Sequence, residues 1–171
     1  LPGFIQPRKN VTFVVKESLQ KYPWFGPVLG ARDPIVVERQ NPRKDLTTML
    51  EGGAERLSKG ISIIVFPQST RGRAFDPAQC NSIGVKLAKR AGVPVIPIAL
   101  RTDAWGVGAL VKDFGKITPS YPVRFAFGEP MNITGNGKAE HAAVMDFISG
   151  RLKEWGLPGP EASSPPSPGN D

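Results

Sequence analysis

Residues 61–75 read ISIIVFPQSTRGRAF, and the change of character within this stretch predicts both the fold and the place of a site. The first half is almost wholly apolar and rich in β-branched Ile and Val, as is typical of a buried strand. The chain then enters a polar turn that carries two arginines, Arg71 and Arg73. Ligands of open α/β sheets gather at the carboxyl ends of strands, so a site would lie at this turn. An ordinary strand exit with solvated arginines explains the stretch equally well when it is taken alone.

Strands and helices alternate on both sides of this stretch. Apolar runs predict further strands at residues 11–15, 34–37, 93–100 and 124–127. Helical spacing of apolar residues predicts helices from Asn41 to Gly60, from Asn81 to Gly92 and over residues 139–155. This alternation predicts an α/β fold in a single domain, with a largely parallel or mixed central sheet flanked by helices. Two prolines remove ladder donors from the run at 93–100, so we expect one side of that strand to lack full pairing.

Length and composition narrow the classes of function. The 171 residues suffice for one domain with a core, which we expect over residues 1–157, followed by a disordered Pro/Ser/Gly-rich tail at 158–171. The single cysteine, Cys80, excludes an internal disulfide framework, and one His with one Cys argues against a zinc site. No apolar run approaches the ~20 residues that span a bilayer. The net charge of +7 favours anionic partners, whereas aromatic residues at only 8% argue against a nucleic-acid surface.

Four blocks, taken in order, resemble the glycerolipid acyltransferase family typified by lysophosphatidic acid acyltransferase. The family's Phe-Pro-Glu-Gly-Thr-Arg is similar to FPQSTR at 66–71, and its upstream apolar strand ending in Arg is similar to PIVVER with Arg39. Its Val-Pro-x-x-Pro block is similar to VPVIP, with Val93, Pro94 and Pro97. The stretch FVVKESLQKYPWFG also resembles the family's segment between its first and second blocks. The resemblance therefore covers most of the chain before its last helix.

The resemblance implies a function in phospholipid biosynthesis: transfer of a fatty acyl group from acyl-CoA or acyl-carrier protein to the hydroxyl of a lysophospholipid. It implies that the protein acts on the cytoplasmic face of the cell membrane, bound peripherally or anchored through segments upstream. It implies no cofactor, no metal and no nucleic-acid partner. Because a guanidinium can hold a phosphate through two parallel hydrogen bonds, arginines lead the candidate ligands. The candidate phosphate-binding residues are Arg39, Gln68, Ser69, Thr70 and Arg71, and the candidate structural residues are Val93, Pro94 and Pro97.

The chain departs from the family block at two positions. Gln68 stands where the family has Glu, which keeps the length and hydrogen-bonding reach of the side chain but removes a charge. Ser69 stands where the family has Gly, so a backbone conformation with positive φ would cost more there. We expect these differences to bear on the identity of the acceptor more than on the fold.

The family's catalytic element, His-x-x-x-x-Asp, lies upstream of the other blocks, and its His acts as a general base. The only histidine here is His141, and with Asp146 it satisfies the bare spacing. Both fall in a predicted helix, where five residues turn through about 500° and leave the two side chains about 140° apart. We therefore interpret His141 as a solvated helix residue. We expect the catalytic pair upstream of Leu1, with the recorded chain cut just downstream of it and inactive alone.

Two other functions remain open at this stage. The recorded chain could be a non-catalytic basic module that binds anionic lipid or phosphate, which differs from the enzyme only in turnover. Alternatively, Ser69 could be a hydrolase nucleophile, with Asp103 or Asp113 and His141 completing a triad, although the flanking glycines of a nucleophile elbow are missing. Cys80 is expected to be a packed or half-exposed thiol at the entry of a helix, without a reactive role because no base lies nearby in the sequence.

Overall fold

The structure, a computed structural model, describes residues 5, 8–17, 30–38, 40–68, 74–102, 104, 106 and 115–157. The chain divides into two compact units. Unit 1 comprises Leu1–Ser69, Asn81–Val95 and Asn132–Gly137, and unit 2 comprises Thr70–Cys80, Ile96–Met131 and Lys138–Asp171. The predicted α/β class is confirmed, with helices and strands alternating along the chain. Within the ranges given above, no helix combines the length and the apolar character needed to cross a membrane.

Unit 1 contains a parallel sheet of three strands. They are β1 (Val11–Lys16), β2 (Ile35–Val37) and β3 (Ser62–Ile64), in the order β2-β1-β3. The register pairs the second half of β1 with β2, with Lys16 opposite Val37, and the first half of β1 with β3. Since all three strands run the same way, their carboxyl ends share one edge of the sheet. This is the edge at which ligands of open α/β sheets bind.

Two helices of unit 1 follow two of these strands. Helix α1 (Pro42–Ser58) follows β2, and Asn41 caps it by accepting from the backbone N–H groups of Arg43 and Lys44, both at 3.2 Å. Helix α2 (Ile83–Ala91) ends at Gly92, whose φ of 65° is the left-handed conformation of a helix C-cap. The two helices pack closely, because a Cβ added to Gly53 would lie 2.7 Å from the side chain of Leu87.

The core of unit 1 lies between the sheet and α1. Ile35, Val37 and Met49 are 2%, 7% and 5% exposed, and partly buried Val14, Ile63, Val65 and Ile83 pack against them. Burial of this kind stabilises a fold by about 25 cal/mol for each Å² of apolar surface removed from water. The hydrophobic effect therefore holds β2 and β3 against the helices that follow them.

Arg56 on α1 fixes the turn that leads into β2. Its Nε donates to the Asp33 carbonyl at 2.8 Å, its Nη2 donates to the Asp33 carboxylate at 2.7 Å, and its Nη1 donates to the Gly52 carbonyl at 3.0 Å. The hydroxyl of Thr12, which is 1% exposed, donates to the same Asp33 carbonyl at 3.0 Å. Asp33 has a φ of 45°, so these bonds hold a turn conformation that L-residues seldom adopt. They set the point from which β2 begins.

Unit 2 is built on an antiparallel pair, β4 (Ile98–Arg101) and β5 (Arg124–Phe127), together with helix α3 (Lys138–Glu154). Helix α3 covers the sheet face that carries Ala99, which is 0% exposed. At the start of β4, a Cβ on Gly128 would lie 2.6 Å from Pro97 and 3.1 Å from Phe147 of α3, so the backbone approaches both closely. A short 3-10 helix, Pro77–Gln79, also belongs to this unit.

One prediction about strands is corrected. The strand predicted at 93–100 is regular only from Ile98, because Pro94 and Pro97 have no N–H to place in a ladder. The described strands form two sheets, a parallel one of three strands in unit 1 and an antiparallel pair in unit 2. The expected boundary at residue 157 stays a prediction, since residues 158–171 lie outside the described residues.

Candidate functional site

The candidate site begins at the carboxyl edge of the unit 1 sheet. β2 ends at Val37, two residues before Arg39, and β3 ends at Ile64, four residues before Gln68. β1 lies between these two strands. The end of β2 is level with Lys16 and the end of β3 is level with Phe13 of the strand between them, so the two ends are offset along the sheet as well as by two strand spacings of about 4.8 Å each. The described strands that precede the two blocks selected for phosphate binding, β2 and β3, therefore end toward the same edge of the sheet.

The β3 side of the edge is held by Asn81, which precedes α2. Its backbone N–H donates to the Pro67 carbonyl at 3.0 Å, and its side-chain Nδ2 donates to the same carbonyl at 2.6 Å. Its Oδ1 accepts from the N–H of Ile83, the first residue of α2, at 3.1 Å. The N-cap position itself is Ser82, one residue after the predicted Asn81, and the two bonds from Asn81 to Pro67 were not predicted. Gln68, the residue after Pro67, is half-buried.

The β2 side of the edge is held in a similar way by the first turn of α1. The carboxylate of Asp45 accepts from the N–H of Glu38 at 3.0 Å, just before Arg39. The Glu38 side chain in turn accepts from Lys44 at 2.7 Å, and this hydrogen bond raises the pKa of Lys44. Both partners of the ion pair are largely exposed, so its contribution to stability is small. At each of the two strand ends, a side chain near the start of the following helix therefore binds the backbone just before the candidate ligands.

Of the candidate phosphate ligands, only Gln68 belongs to the described part of the chain. Arg39, Ser69, Thr70 and Arg71 lie outside the described residues, so their assignment stays a prediction. The described backbone that precedes these blocks is held by hydrogen bonds, at Glu38 by Asp45 and at Pro67 by Asn81. The alternative triad also stays a prediction, because Ser69, Asp103 and Asp113 are not among the described residues.

Lys16 is a candidate ligand that the sequence analysis missed. It is the last residue of β1, the middle strand, and its side chain is exposed. In the register it stands level with Val37 of β2. A cation there lies between the two strand ends that lead to the candidate arginines. In the sequence, Lys16 directly follows the apolar run at 11–15. That run does not show which strands flank it, so the position of Lys16 at the edge could not be inferred from the sequence.

The Val-Pro-x-x-Pro residues were expected to be structural, and that role stays a prediction. The N–H of Val93 donates to the carbonyl of Ala88 at 3.1 Å and so helps to close the end of α2 in unit 1. Pro94 is exposed. In unit 2, Pro97 is buried, and its carbonyl accepts from the N–H of Gly128 at 2.9 Å.

The remaining titratable candidates belong to unit 2. His141 and Asp146 both lie on α3, so the predicted helical setting of this pair is confirmed. The thiol of Cys80 is half-buried and lies 3.4 Å from the carbonyl of Asp76. Burial raises the pKa of this thiol, and the charge of Asp76 raises it further, so the thiol form is favoured over the reactive thiolate. Within the described ranges, no three His, Cys, Asp or Glu side chains group as metal ligands would.

The chain is similar to proteins of one family. Residues 3–101 match the family model described as Acyltransferase. Over 99 residues the chain is 35% identical to the 1-acyl-sn-glycerol-3-phosphate acyltransferase of Pseudomonas aeruginosa, an alignment that covers 58% of this chain and 37% of that protein. It is 33% identical over 104 residues to the protein of the same name from Escherichia coli, covering 60% of this chain and 41% of that protein.

A solved structure has the same fold. The 1-acyl-sn-glycerophosphate (LPA) acyltransferase PlsC from Thermotoga maritima superposes with a TM-score of 0.64 at 18% identity, covering 86% of this chain and 57% of that chain. The chain thus spans about two fifths to three fifths of the lengths of these relatives. The family match includes all of β1, β2, β3, α1, α2 and β4, and therefore the whole candidate edge. This chain belongs to the acyltransferase family.

Proposed function

We propose that the protein to which this chain belongs is an O-acyltransferase that moves a fatty acyl group from acyl-CoA or acyl-carrier protein to the hydroxyl of a lysophosphatidic acid-like lysophospholipid. One observation carries the proposal: a parallel sheet within the matched region has a single edge at which β2 leads into Arg39 and β3 leads into the block at 68–71. The names of the Pseudomonas and Escherichia relatives support the same acceptor class. The chain contributes the acceptor-binding part of the reaction.

In this proposal the acceptor's phosphate is bound by the arginines of the two blocks. Arg71 and Arg39 each donate a pair of charge-assisted hydrogen bonds, because the planar guanidinium matches two phosphate oxygens. Ser69 and Thr70 supply hydroxyl donors, and Gln68 supplies an amide without the negative charge of a glutamate. Lys16, at the end of the strand between them, adds a third cation at this edge. A neutral Gln68 lowers electrostatic repulsion of a phosphate dianion, which we expect to affect acceptor preference.

The chemistry also needs a base that removes the proton of the acceptor hydroxyl as the acyl carbonyl is attacked. We assign this base to a His-x-x-x-x-Asp element upstream of Leu1 rather than to His141. In support, His141 and Asp146 are five residues apart on one helix, where side chains do not face each other. Without a base, transfer should be slower by roughly 10²–10⁴-fold. The chain alone would then bind the phosphorylated acceptor without turnover.

We place the protein at a membrane surface on the cytoplasmic face, and we assign the contact made by this chain to the segment 116–127 of unit 2. Its large side chains Ile117, Tyr121, Val123 and Phe127 are 58%, 51%, 52% and 53% exposed. The segment holds the exposed bases Lys116 and Arg124 and no acidic residue. Exposed aliphatic, aromatic and basic side chains together fit the headgroup region of a bilayer that contains anionic lipid.

The segment is held in place by its backbone. The carbonyl of Lys116 accepts from the N–H of Gly106 at 3.0 Å, and the N–H of Thr118 donates to the carbonyl of Ala104 at 2.7 Å. A turn bond of 3.0 Å from Tyr121 to Thr118 follows. Phe127 lies opposite Ile98 in the antiparallel register, on the sheet face away from Ala99 and α3. The apolar side chains are therefore displayed on an ordered backbone.

The phosphate assignment is tested by Arg71→Ala in the complete protein. Loss of one charge-assisted pair should raise the acceptor KM by roughly ten- to a hundredfold and change the donor KM little. Arg71→Lys should recover only part of the loss, because a point charge does not reproduce the planar fork. Arg73→Ala is the matched control, two residues away and outside the block. Equal and small effects of Arg71→Ala and Arg73→Ala on the acceptor KM would contradict the proposed function.

A further inference from the structure

The three parallel strands of unit 1 begin at the end of the sheet opposite to the candidate edge, and we call this end the amino edge. β1 begins there at Val11, shortly after a turn that carries Arg8 and Lys9, whose N–H groups both donate to the Ile5 carbonyl at 3.1 Å. The six residues of β1 separate its two ends by about 17 Å, because a strand rises about 3.3 Å per residue. The amino edge is therefore distant from the candidate edge.

Arg32 lies at the amino edge, in the turn that precedes β2. In this turn the N–H of Asp33 donates to the Gly30 carbonyl at 3.2 Å. The carbonyl of Asp33 in turn accepts from the hydroxyl of Thr12, near the start of β1, at 3.0 Å. The backbone on both sides of Arg32 is thus held by hydrogen bonds, and the second of them ties the turn to the sheet.

The guanidinium of Arg32 has a buried donor that lacks an acceptor. The side chain is partly buried, and its Nη1 is shielded from solvent and makes no hydrogen bond within the described part of the chain. A guanidinium keeps its charge throughout the physiological range of pH. Burial of a charged donor without an acceptor is unfavourable, so an anion that accepts from Nη1 would stabilise this arrangement.

The described acidic side chains of the amino edge are already engaged by other cations. Asp33, next to Arg32, accepts from Arg56 at 2.7 Å. At the end of α1, which leads into β3, Glu55 accepts from Lys59 at 2.7 Å. The two basic residues in the turn before β1 are exposed and add further positive charge. The described residues of this edge therefore favour an anion from outside the unit.

We propose that Arg32 binds a phosphate-type oxyanion at the amino edge. Its Nη1 donates a charge-assisted hydrogen bond to one oxygen of the anion. Arg8 and Lys9 attract the anion to this edge through their charge, an effect that falls as ionic strength rises. The oxyanion comes either from soluble phosphate or from the phosphate group of a lipid headgroup, which presents the same kind of oxygen atoms. This site exists whether or not Arg71 binds the acceptor.

The experiment titrates inorganic phosphate into the complete protein by isothermal titration calorimetry at constant ionic strength. Every sample carries Arg71→Ala, so that phosphate bound at the proposed acceptor site contributes little. Arg32→Gln should weaken phosphate binding about ten- to a hundredfold, because it removes a charge-assisted hydrogen bond. Arg90→Gln removes the same charge from an exposed position on α2 and is the matched control, with an expected change of less than about twofold.

Thermal unfolding separates a binding role from a structural one. Without phosphate, Arg32→Gln should unfold at or above the temperature of its parent, because it removes a buried donor that has no acceptor. Phosphate should raise the unfolding temperature of the parent but not that of Arg32→Gln, since a ligand stabilises only the protein that binds it. An equal loss of stability with and without phosphate would make the guanidinium structural and the proposal wrong.

Vesicles distinguish the two sources of the oxyanion. Cosedimentation with phosphatidylcholine–phosphatidylglycerol vesicles is measured for Arg32→Gln and Arg90→Gln. A loss of vesicle binding confined to Arg32→Gln supports the site and assigns it to a lipid headgroup. A loss of phosphate binding without a loss of vesicle binding supports the site and assigns it to soluble phosphate. If the two variants behave alike in both assays, Arg32 is not an oxyanion site.

Discussion

The two units differ in what they do with their large apolar side chains. In unit 1, Ile35, Val37 and Met49 are 2%, 7% and 5% exposed and form a core beneath the carboxyl edge of a parallel sheet. In unit 2, α3 covers one face of the β4–β5 pair, while the segment 116–127 displays four large side chains that are each more than half exposed. Among the described residues of unit 1, Phe66 is the one large apolar side chain with comparable exposure, at 57%.

Unit 1 buries its large apolar side chains beneath the strand ends and so holds those ends at a defined spacing. Unit 2 has its own buried residues, Ala99, Val144, Met145 and Ile148, and leaves other apolar side chains in water. Apolar groups displayed together on an ordered backbone are typical of surfaces that bind another phase or molecule. The comparison therefore predicts that removing an apolar side chain will lower stability in the core of unit 1, and will lower binding to a surface in the segment 116–127 of unit 2.

The largest expected effect is on stability and comes from the core of unit 1. Ile35→Ala should lower the free energy of unfolding by about 2–5 kcal/mol, because it leaves a cavity beneath β2 in addition to losing the buried methyl groups. Urea unfolding followed by circular dichroism measures this loss. The matched control is Ile117→Ala in unit 2, where a 58% exposed side chain should change stability by no more than about 0.5 kcal/mol. Equal losses for the two variants would remove the distinction between the units.

The next effect is on membrane binding and comes from unit 2. Phe127→Ser should lower partitioning of the chain onto phosphatidylcholine–phosphatidylglycerol vesicles by about tenfold, because burial of a phenylalanine side chain contributes roughly 1.5–3 kcal/mol. Lys116→Glu should lower binding to these vesicles but not to pure phosphatidylcholine. Cosedimentation with the vesicles gives both values.

The control for membrane binding lies in unit 1. Phe66→Ser removes a side chain of the same type and similar exposure, 57% against 53% for Phe127, yet it should leave vesicle binding unchanged. A loss as large as that of Phe127→Ser would show that exposed aromatic side chains anywhere on the chain drive the binding. The segment 116–127 would then have no special role.

The smallest expected effect concerns His141 of unit 2. His141→Ala in the complete protein should leave kcat and both KM values within about twofold, because a helix side chain with Asp146 five positions away is not arranged as a base with an orienting carboxylate. Steady-state assays beside Arg71→Ala test this. A loss of transfer by His141→Ala, with the protein still folded, would make unit 2 the catalytic part and overturn the assignment of the base upstream.

Much of the local structure followed from local patterns. The apolar runs predicted β1, β2 and β5 to within a residue or two, and the capping residues Asn41 and Gly92 marked helix ends correctly. Capping and periodicity act over a few residues, so a single segment contains the information needed to infer them. The two prolines after Val93 likewise explained why β4 begins only at Ile98.

Contacts between distant segments were not predictable in this way. Arg56 looked like an ordinary charged residue of a helix, yet it binds Asp33 across 23 positions of sequence. Asn81 was expected only at the start of a helix, because nothing near it in the sequence indicates Pro67, 14 positions earlier. Each of these bonds depends on how helices pack on the sheet, and that packing is decided by many weak apolar contacts at once.

The sequence by itself determined the α/β class, the family resemblance and the chemical nature of the candidate site, because residue types, periodicity and block order are properties of the linear chain. Only the tertiary structure decided that β1 lies between β2 and β3, and hence that Lys16 shares an edge with the two strand ends. Only it decided that Asn81 binds the carbonyl of Pro67 and that β4 pairs antiparallel with β5. The physical reason is that strand order and long-range hydrogen bonds depend on the free energy of the whole packed unit. No single segment of the sequence contains the contacts that determine it.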